Sequence, residues 1–336
     1  MKTLLIDGDN LFKIGFHGVR EYFVDGNHIG GVFHFLNTIR KQLDENEYDK
    51  VIVFWDGDGN SSRRREIYPK YKLNRRRDMN EFKFESYLNQ KERVKQYLEE
   101  CFVRQLKIDN NESDDLIAYY CGLATDENKV IFSSDKDLLQ LIDQNTSIYS
   151  PISKILYKKG DKVKMLGTEI IHENVLTIKV IMGDKSDNID GIAQLGEKTF
   201  IKFFPEVIDT PISVADILNR TKTLIDEHGK VKALENLLVG KTKEGEMGES
   251  FFETNKKIVD LSNPMITDEG KENVELYYRE TMDPEGRGSK NLIRMMTEDG
   301  FFKFLPKTDE AFLNFIRPFM KLTRKEKRKF KNQSNL

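Results

Sequence analysis

Three short apolar runs, Thr3–Ile6, Val51–Trp55 and Val130–Ser133, each lead into an aspartate: Asp7 and Asp56 at once, Asp135 two positions on. The runs are rich in β-branched and aromatic residues and are closed by Asp, Gly or Ser, the pattern of a short buried strand. Between the first two lie Val32, Phe33, Phe35, Leu36, Ile39 and Leu43 at helical spacing. A strand, a helix and a second strand joined by short links require parallel pairing through a crossover. Ser147–Ser150 and Ile155–Tyr157 extend the sheet. The first half of the chain is therefore expected to be a three-layer α/β domain around a mostly parallel central sheet. The carboxyl ends of parallel strands share one edge, where ligands bind, so the three aspartates should converge there.

More carboxylates follow the same logic. Asp137 stands two residues after Asp135 in the loop leaving the third strand. In Asn111-Glu112-Ser113-Asp114-Asp115-Leu116, Glu112 and Asp115 are three apart at the start of a helix; Asp184 and Asp187 repeat that spacing. A single cluster of this kind is explained by a helix cap or a solvated loop. The whole set on one rim would repel itself severely unless cations neutralised it. No His or Cys lies in these clusters, so the expected ions are hard divalent cations with oxygen ligands, Mg²⁺ or Mn²⁺. Two such ions clamp the attacking and leaving oxygens of a phosphoryl displacement.

The 336 residues include 22 Phe and 12 Tyr, enough for a substantial core. Cys101 and Cys121 show no zinc-ligand spacing and read as small buried hydrophobes of a reducing compartment. The opening MKTLLIDGDN is too short in its apolar part for a signal peptide, and no apolar run spans a bilayer. A soluble protein of the cytoplasm (a host's, if the chain is viral) with no membrane partner is expected.

The net charge of −2 hides strong segregation: Arg63–Arg77 and Arg317–Lys331 each hold eight basic residues and one acid. Residues 57–98 break the α/β rhythm, basic first and then helical, and so long an insertion is usually functional. Beyond about Glu169 helical signals dominate: Ile170–Gly183, Lys198–Phe204, Val231–Leu238, Phe251–Leu261 and Glu310–Leu322, with Gly240–Gly248 as a mobile loop. Residues 1–180 and 181–336 are accordingly expected to form a catalytic and a helical unit. Tyr68-Pro69-Lys70-Tyr71-Lys72-Leu73-Asn74-Arg75 interleaves cations with aromatics, as phosphate contact and base stacking require. In Gly191–Thr199 two glycines flank a short apolar turn before a helix, which lets backbone approach a phosphate, with Lys198 as the cation.

The segments LIDGDNL (5–11), FWDGDG (54–59), YPKYKLNR (68–75), NESDDLIA (111–118), SSDKDLLQL (133–141) and GDKSDNIDGIAQLGEKT (183–199) together resemble the flap endonuclease/5′–3′ exonuclease family in its phage form, ribonuclease H enzymes among them. The resemblance covers most of residues 1–205. It implies a PIN-like 5′-nuclease domain with a helical arch at about 57–98, followed by a helical region with a helix–three-turn–helix element at about 183–205. It places Asp7, Asp56, Glu112, Asp114, Asp115, Asp135, Asp137, Asp184 and Asp187 at metal-site positions for two divalent cations. It gives Lys72 and Arg75 the task of steadying the scissile phosphate beside Asp56 and Asp135. Tyr71 would stack on a terminal base, and Arg63–Arg65, Arg76 and Arg77 would guide the strand. Gly191, Gly196 and Lys198 would hold duplex with a monovalent cation such as K⁺. The implied activity is metal-dependent cleavage near 5′ ends, on flaps, on DNA and on RNA–DNA hybrids, in primer removal during replication. A single-strand-binding protein or sliding clamp are the implied protein partners.

The chain departs from the family at Asp9, which is either an extra outer ligand or a surface charge; the surface charge is the expectation, as it is for Asp58. Asp190 and Ala193-Gln194 stand where Pro and Pro-Gly are usual, which should make the hairpin less rigid. Two alternatives remain. One is a PIN-type ribonuclease without duplex grip, disfavoured by residues 191–199; the other is a non-catalytic DNA-binding scaffold, disfavoured by intact SSDKD and GDKSDN. The tail 317–336 fits a nucleic-acid arm, a docking peptide or a solvated helix end.

Overall fold

The computed structural model describes residues 1–18, 23–24, 27–74, 79–279, 287–308 and 310–333. The first half runs β1 (Lys2–Asp7), α1 (Gly8–Gly18), the hairpin β2 (Phe23–Val24) and β3 (Asn27–His28), α2 (Gly30–Glu45), β4 (Lys50–Trp55), α3 (Ser62–Ile67), α4 (Glu81–Glu100), β5 (Arg104–Lys107), α5 (Ser113–Leu123), β6 (Asn128–Phe132), β7 (Thr146–Ser150) and β8 (Ile155–Tyr157). One sheet has the order β5-β4-β1-β6-β7-β8, parallel throughout except for the antiparallel edge strand β8.

The apolar runs are continuous because both faces of the sheet are covered. Side chains alternate between two cores with period two. Leu5, Ile52 and Phe54 join the core under α5. Leu4, Ile6, Val51, Val53 and Trp55 join the one under α1, α2 and α4. In this register Asp7 pairs with Phe54, so β1 and β4 end side by side.

After β8 come the hairpin β9 (Lys162–Met165) and β10 (Thr168–Ile171), then α6 (Val175–Met182), α7 (Glu197–Phe203), α8 (Val214–His228), α9 (Lys232–Leu238), α10 (Glu249–Val259), α11 (Asp268–Arg279), α12 (Ser289–Glu298) and α13 (Ala311–Gln333). Ile170 and Ile171, expected to open a helix, are instead the end of β10; the helix starts at Val175. Strand β5 escaped the sequence reading because Arg-Gln-Leu-Lys has one apolar residue. It is an edge strand whose Arg104 reaches out to Glu326 at 3.3 Å. Residues 240–248 are tied rather than loose. Thr242 N–H donates to Gly245 O at 2.8 Å and Ala193 N–H to Lys241 O at 2.8 Å.

The last two helices return to the first half. Leu292, Met296, Phe315, Ile316 and Phe319 share a core with Leu36, Ile39, Val94 and Tyr97. A cut at residue 180 therefore separates sequence patterns, not packed bodies. The basic segment 317–331 is part of α13 and is anchored. Lys325 donates to Tyr48 O at 3.0 Å, Lys329 to Asp49 O at 2.8 Å, and buried Glu326 receives Lys329 at 3.1 Å. Among the described residues no helix is long and apolar enough to cross a membrane.

Candidate active site

The carboxyl edge of the sheet gathers the acids as the strand pattern requires. Asp7, the last residue of β1, accepts from Ser133 Oγ at 2.9 Å and from Asn10 N–H at 3.1 Å. Ser133 Oγ in turn accepts from Asp135 N–H at 3.0 Å, and Asp135 Oδ1 from Asp137 N–H at 2.9 Å. Asp56 Oδ1 accepts from Ser113 N–H at 2.9 Å, joining β4 to the start of α5. Glycine is needed at position 8, since a Cβ there would lie 2.6 Å from the Trp55 ring.

Burial pushes the Asp7 carboxyl up to about 8, and the charges of Asp56, Asp135 and Asp9 add to it. Burial likewise holds Asp114 well above the ordinary carboxylate range, with Asp135 and Asp7 reinforcing the shift. Asp135 is raised by burial and by Asp187 and Asp184, against the opposing pull of Lys179. These groups feel one another because they occupy one rim.

Three lysines sit within that rim. Lys72, at φ 56°, places its Nζ 2.7 Å from Glu112 Oε2 and 3.8 Å from Asp187 Oδ2. Lys179 bridges Asp137 and Asp184, 2.5 Å from the latter. Burial alone would raise Asp184, yet the Lys179 ammonium and hydrogen bonds from Ser186 hold it below its usual value. Lys91 of α4 pairs with Asp9. Lys179 and Lys91 were missed in the sequence. A single lysine within the apolar Thr-Ile-Lys-Val-Ile-Met of α6 was the available signal, whereas Lys91 lies in a helix full of charges.

Several expected roles change. Asp115 is taken up by an ion pair: both its oxygens are held by Arg64, at 2.5 and 2.9 Å, and one also accepts Met265 N–H at 2.9 Å. It is a buried ion-pair partner, and Asp114 is the member of that helix start that faces the other acids. Arg64 is correspondingly buried and cannot guide a strand from the surface. Tyr71 is not available for stacking. It is 3% exposed and its hydroxyl donates to Glu112 and Asp187 at 3.0 and 3.1 Å. Asp9 is not a surface charge, for its Oδ2 accepts Asp56 N–H at 2.9 Å. Asp58 is one, paired with Lys107 at 3.0 Å. Arg75, Arg76 and Arg77 lie outside the described residues.

The hairpin expected to be slack is cross-tied to the base of the arch. Asp190 accepts the Tyr68 hydroxyl at 2.9 Å, Asn188 Nδ2 donates to Lys70 O at 2.8 Å, and Lys72 N–H donates to Asp187 O at 2.8 Å. Gly191 packs so tightly that a Cβ would meet Met182 O at 2.0 Å, whereas Gly196 and Lys198 are exposed at the start of α7.

The rim fits hard cations by its donor set, which is all oxygen. Glu112 Oε1 is buried and has no hydrogen-bond partner among the described residues, an orphaned acceptor aimed into the site. Among the described residues no three acids close into a ready coordination cage, because Lys72 and Lys179 stand between them and supply the positive charge.

A family model described as the 5′–3′ exonuclease N-terminal resolvase-like domain matches residues 2–175. The 5′–3′ exonuclease of Halalkalibacterium halodurans is 33% identical over 211 residues, 58% of this chain and 67% of that protein. DNA polymerase I of Streptococcus pneumoniae is 29% identical over 220 residues, 61% of this chain, and the chain spans about a quarter of that relative's length (24%). The bacteriophage T5 D15 flap endonuclease, solved as a pseudo-enzyme–product complex with DNA and metal ions, is similar in fold, with a TM-score of 0.59 at 18% identity over 96% of this chain and 100% of that one. A family match across more than half of the sequence carries one conclusion: this chain belongs to the 5′–3′ exonuclease/flap endonuclease family.

Proposed function

We propose that the protein is a metal-dependent 5′-nuclease that hydrolyses phosphodiester bonds near the 5′ ends of DNA and RNA–DNA duplexes, at free ends and at flaps. The observation that carries this reading is the convergence of Asp7, Asp56, Asp114 and Asp135 on one rim, where burial first and the neighbouring carboxylates second raise Asp7 to about 8. A rim of this kind is built to be neutralised by cations. The oxygen-only donors suit Mg²⁺, with Mn²⁺ as a substitute. Two such ions, when bound, supply Lewis-acid activation of water and neutralise the phosphate's charge.

The chain's own residues supply placement. Asp7, Asp56, Glu112, Asp114, Asp135, Asp137, Asp184 and Asp187 are the proposed ion holders. The bonds from Ser133 and Asn10 to Asp7 and from Ser113 to Asp56 fix two of those side chains in advance. Lys72 and Lys179 hold Glu112 and Asp184 and would be released from them if ions occupied the rim; Lys72, with Arg75, would stabilise charge developing on the phosphate. Residues 183–205, with Gly191, Gly196, Lys198 and a monovalent cation such as K⁺, hold the duplex through its backbone. RNase H-type removal of RNA primers is the role this activity fits, in concert with a single-strand-binding protein or clamp.

The test is Mg²⁺-dependent cleavage of a 5′-flap DNA, an RNA–DNA hybrid and a structured RNA, with EDTA as control. The expected result is cleavage of the first two near the 5′ end. Preference for the structured RNA would favour a ribonuclease without duplex grip, and no cleavage with either Mg²⁺ or Mn²⁺ would overturn the nuclease reading.

A further inference from the structure

A cavity of about 370 Å³ opens where the end of α4, the approach to α12 and the middle of α13 meet. Its floor is apolar, with Phe319 and Met320; its rim carries Arg287, Lys290, Arg324 and Lys327. Among the described residues none of these four cations has an ion-pair partner. The acid on the lining, Glu100, is already committed: it accepts Gly288 N–H at 3.0 Å and the Asn291 side-chain amide at 3.3 Å. Four cations without an ion-pair partner among the described residues, set around an apolar hollow beside the one carboxylate of Glu100, favour an occupant that is both apolar and negative, since apolar concavities bind apolar bodies and such a rim selects a negative one.

The site is remote from the acidic rim. Lys91 of α4 touches Asp9 at the rim, and α4 runs on to Glu100 at the cavity, nine residues or about 13 Å of helix. A duplex backbone would meet the rim cations, but it has no apolar projection to fill the floor.

We propose that this cavity docks an acidic peptide segment bearing one bulky apolar side chain, its carboxylates on Arg287, Lys290, Arg324 and Lys327 and its apolar side chain over Phe319 and Met320. The inference is independent of the nuclease reading, because it uses none of the rim acids. It assigns the protein a recruitment surface separate from its acidic rim.

The test is fluorescence anisotropy on the full chain with a fluorescein-labelled decapeptide of Asp and Glu around a single Trp. Saturable binding is expected, weakened about tenfold or more by the exposed charge reversal Arg324→Glu/Lys327→Glu. Loss of the anchor in a Trp→Ala peptide, and filling of the hollow by Thr323→Trp, should each weaken it about tenfold as well. Flap cleavage, measured in parallel, should stay within about twofold for both variants. Absence of binding overturns the proposal, as does equal binding of the Trp→Ala peptide, which would mark a mere polyelectrolyte surface. Displacement of the peptide by an oligonucleotide that itself loses affinity on charge reversal would overturn it in favour of a nucleic-acid face.

Discussion

Asp9 and Lys91 tie the exit of the first strand to the arch helix. The Asp9 carboxylate takes the Lys91 ammonium on one oxygen and Asp56 N–H on the other, at 2.9 Å. Lys91 also lies over the Trp55 ring, 5.2 Å from its centroid. The position of α4 is thereby coupled to the backbone that carries Asp56. Lys91→Ala should slow single-turnover flap cleavage about tenfold while leaving duplex affinity within about twofold, since it disturbs positioning rather than grip. A rate equal to wild type would show that the tie has no catalytic consequence.

Removing a rim acid should separate cutting from stability. Asp135→Asn is expected to abolish cleavage and leave duplex binding intact. In EDTA it should also raise the melting temperature, because Asp135 lies within reach of Asp187 and Asp184 and its charge is disfavoured by burial. Added Mg²⁺ should then stabilise the variant less than wild type. Lys72→Ala, which loses the 2.7 Å contact to Glu112, should lower the single-turnover rate far more than affinity. Differential scanning fluorimetry and rapid-quench kinetics read these outcomes, and a Asp135→Asn protein that melts lower in EDTA would contradict the repulsion argument.

Asp115 is assigned a structural task, and a pair of variants distinguishes that from ion binding. Arg64→Ala leaves a fully buried carboxylate without its partner and should cost about 3–5 kcal/mol in urea melts. Asp115→Asn should also destabilise the fold, yet keep the wild-type Mg²⁺ concentration dependence of cleavage. A shifted Mg²⁺ midpoint in Asp115→Asn would return it to the ion site.

The pH dependence has a definite sign. Asp7 has an ordinary value of 3.8 and a folded value of about 8, so the unfolded chain releases its proton first as pH rises. Stability contributed by the protonated carboxyl is present below about pH 4 and is lost progressively up to about pH 8. Asp114 and Asp135 shift in the same direction. In EDTA the melting temperature should therefore fall between pH 5 and 8 (~ values set by these shifts), and the Mg²⁺ concentration needed for stabilisation should fall over the same interval, because ion binding must displace protons. A metal-free melting temperature that rises across this window would refute the assignment.

The acidic edge was legible because it depends on chain order: short continuous apolar runs joined through a helix must pair in parallel, and parallel strands end together. What the sequence did not carry was side-chain direction at the helix start. Glu112 and Asp115 share a face, as their spacing implies, and both meet Arg64, at 3.6 and 2.5 Å; spacing could not show that Asp115 is taken up by that ion pair while Asp114 feels the rim acids. Tyr71 was misjudged for a similar reason. Its neighbours in sequence, Lys70 and Lys72, are cations, while its partners in space, Glu112 and Asp187, come from segments 41 and 116 residues away. The basic run at 317–331 looked like a free tail because charge dominates its composition. Its apolar residues, Phe319 and Leu322, and the buried Glu326 fix it to the first half.

That attachment of α13 bears on how the molecule comes into being. Phe315, Ile316 and Phe319 complete the core that contains Leu36, Ile39 and Tyr97. A chain truncated after residue 310 should lose cooperative unfolding by circular dichroism, because it leaves that apolar surface uncovered. During translation the wait is the same: the layer beneath α2 stays open until residues 311–333 leave the ribosome, so the nascent polypeptide acquires its working shape only when synthesis of that helix is complete.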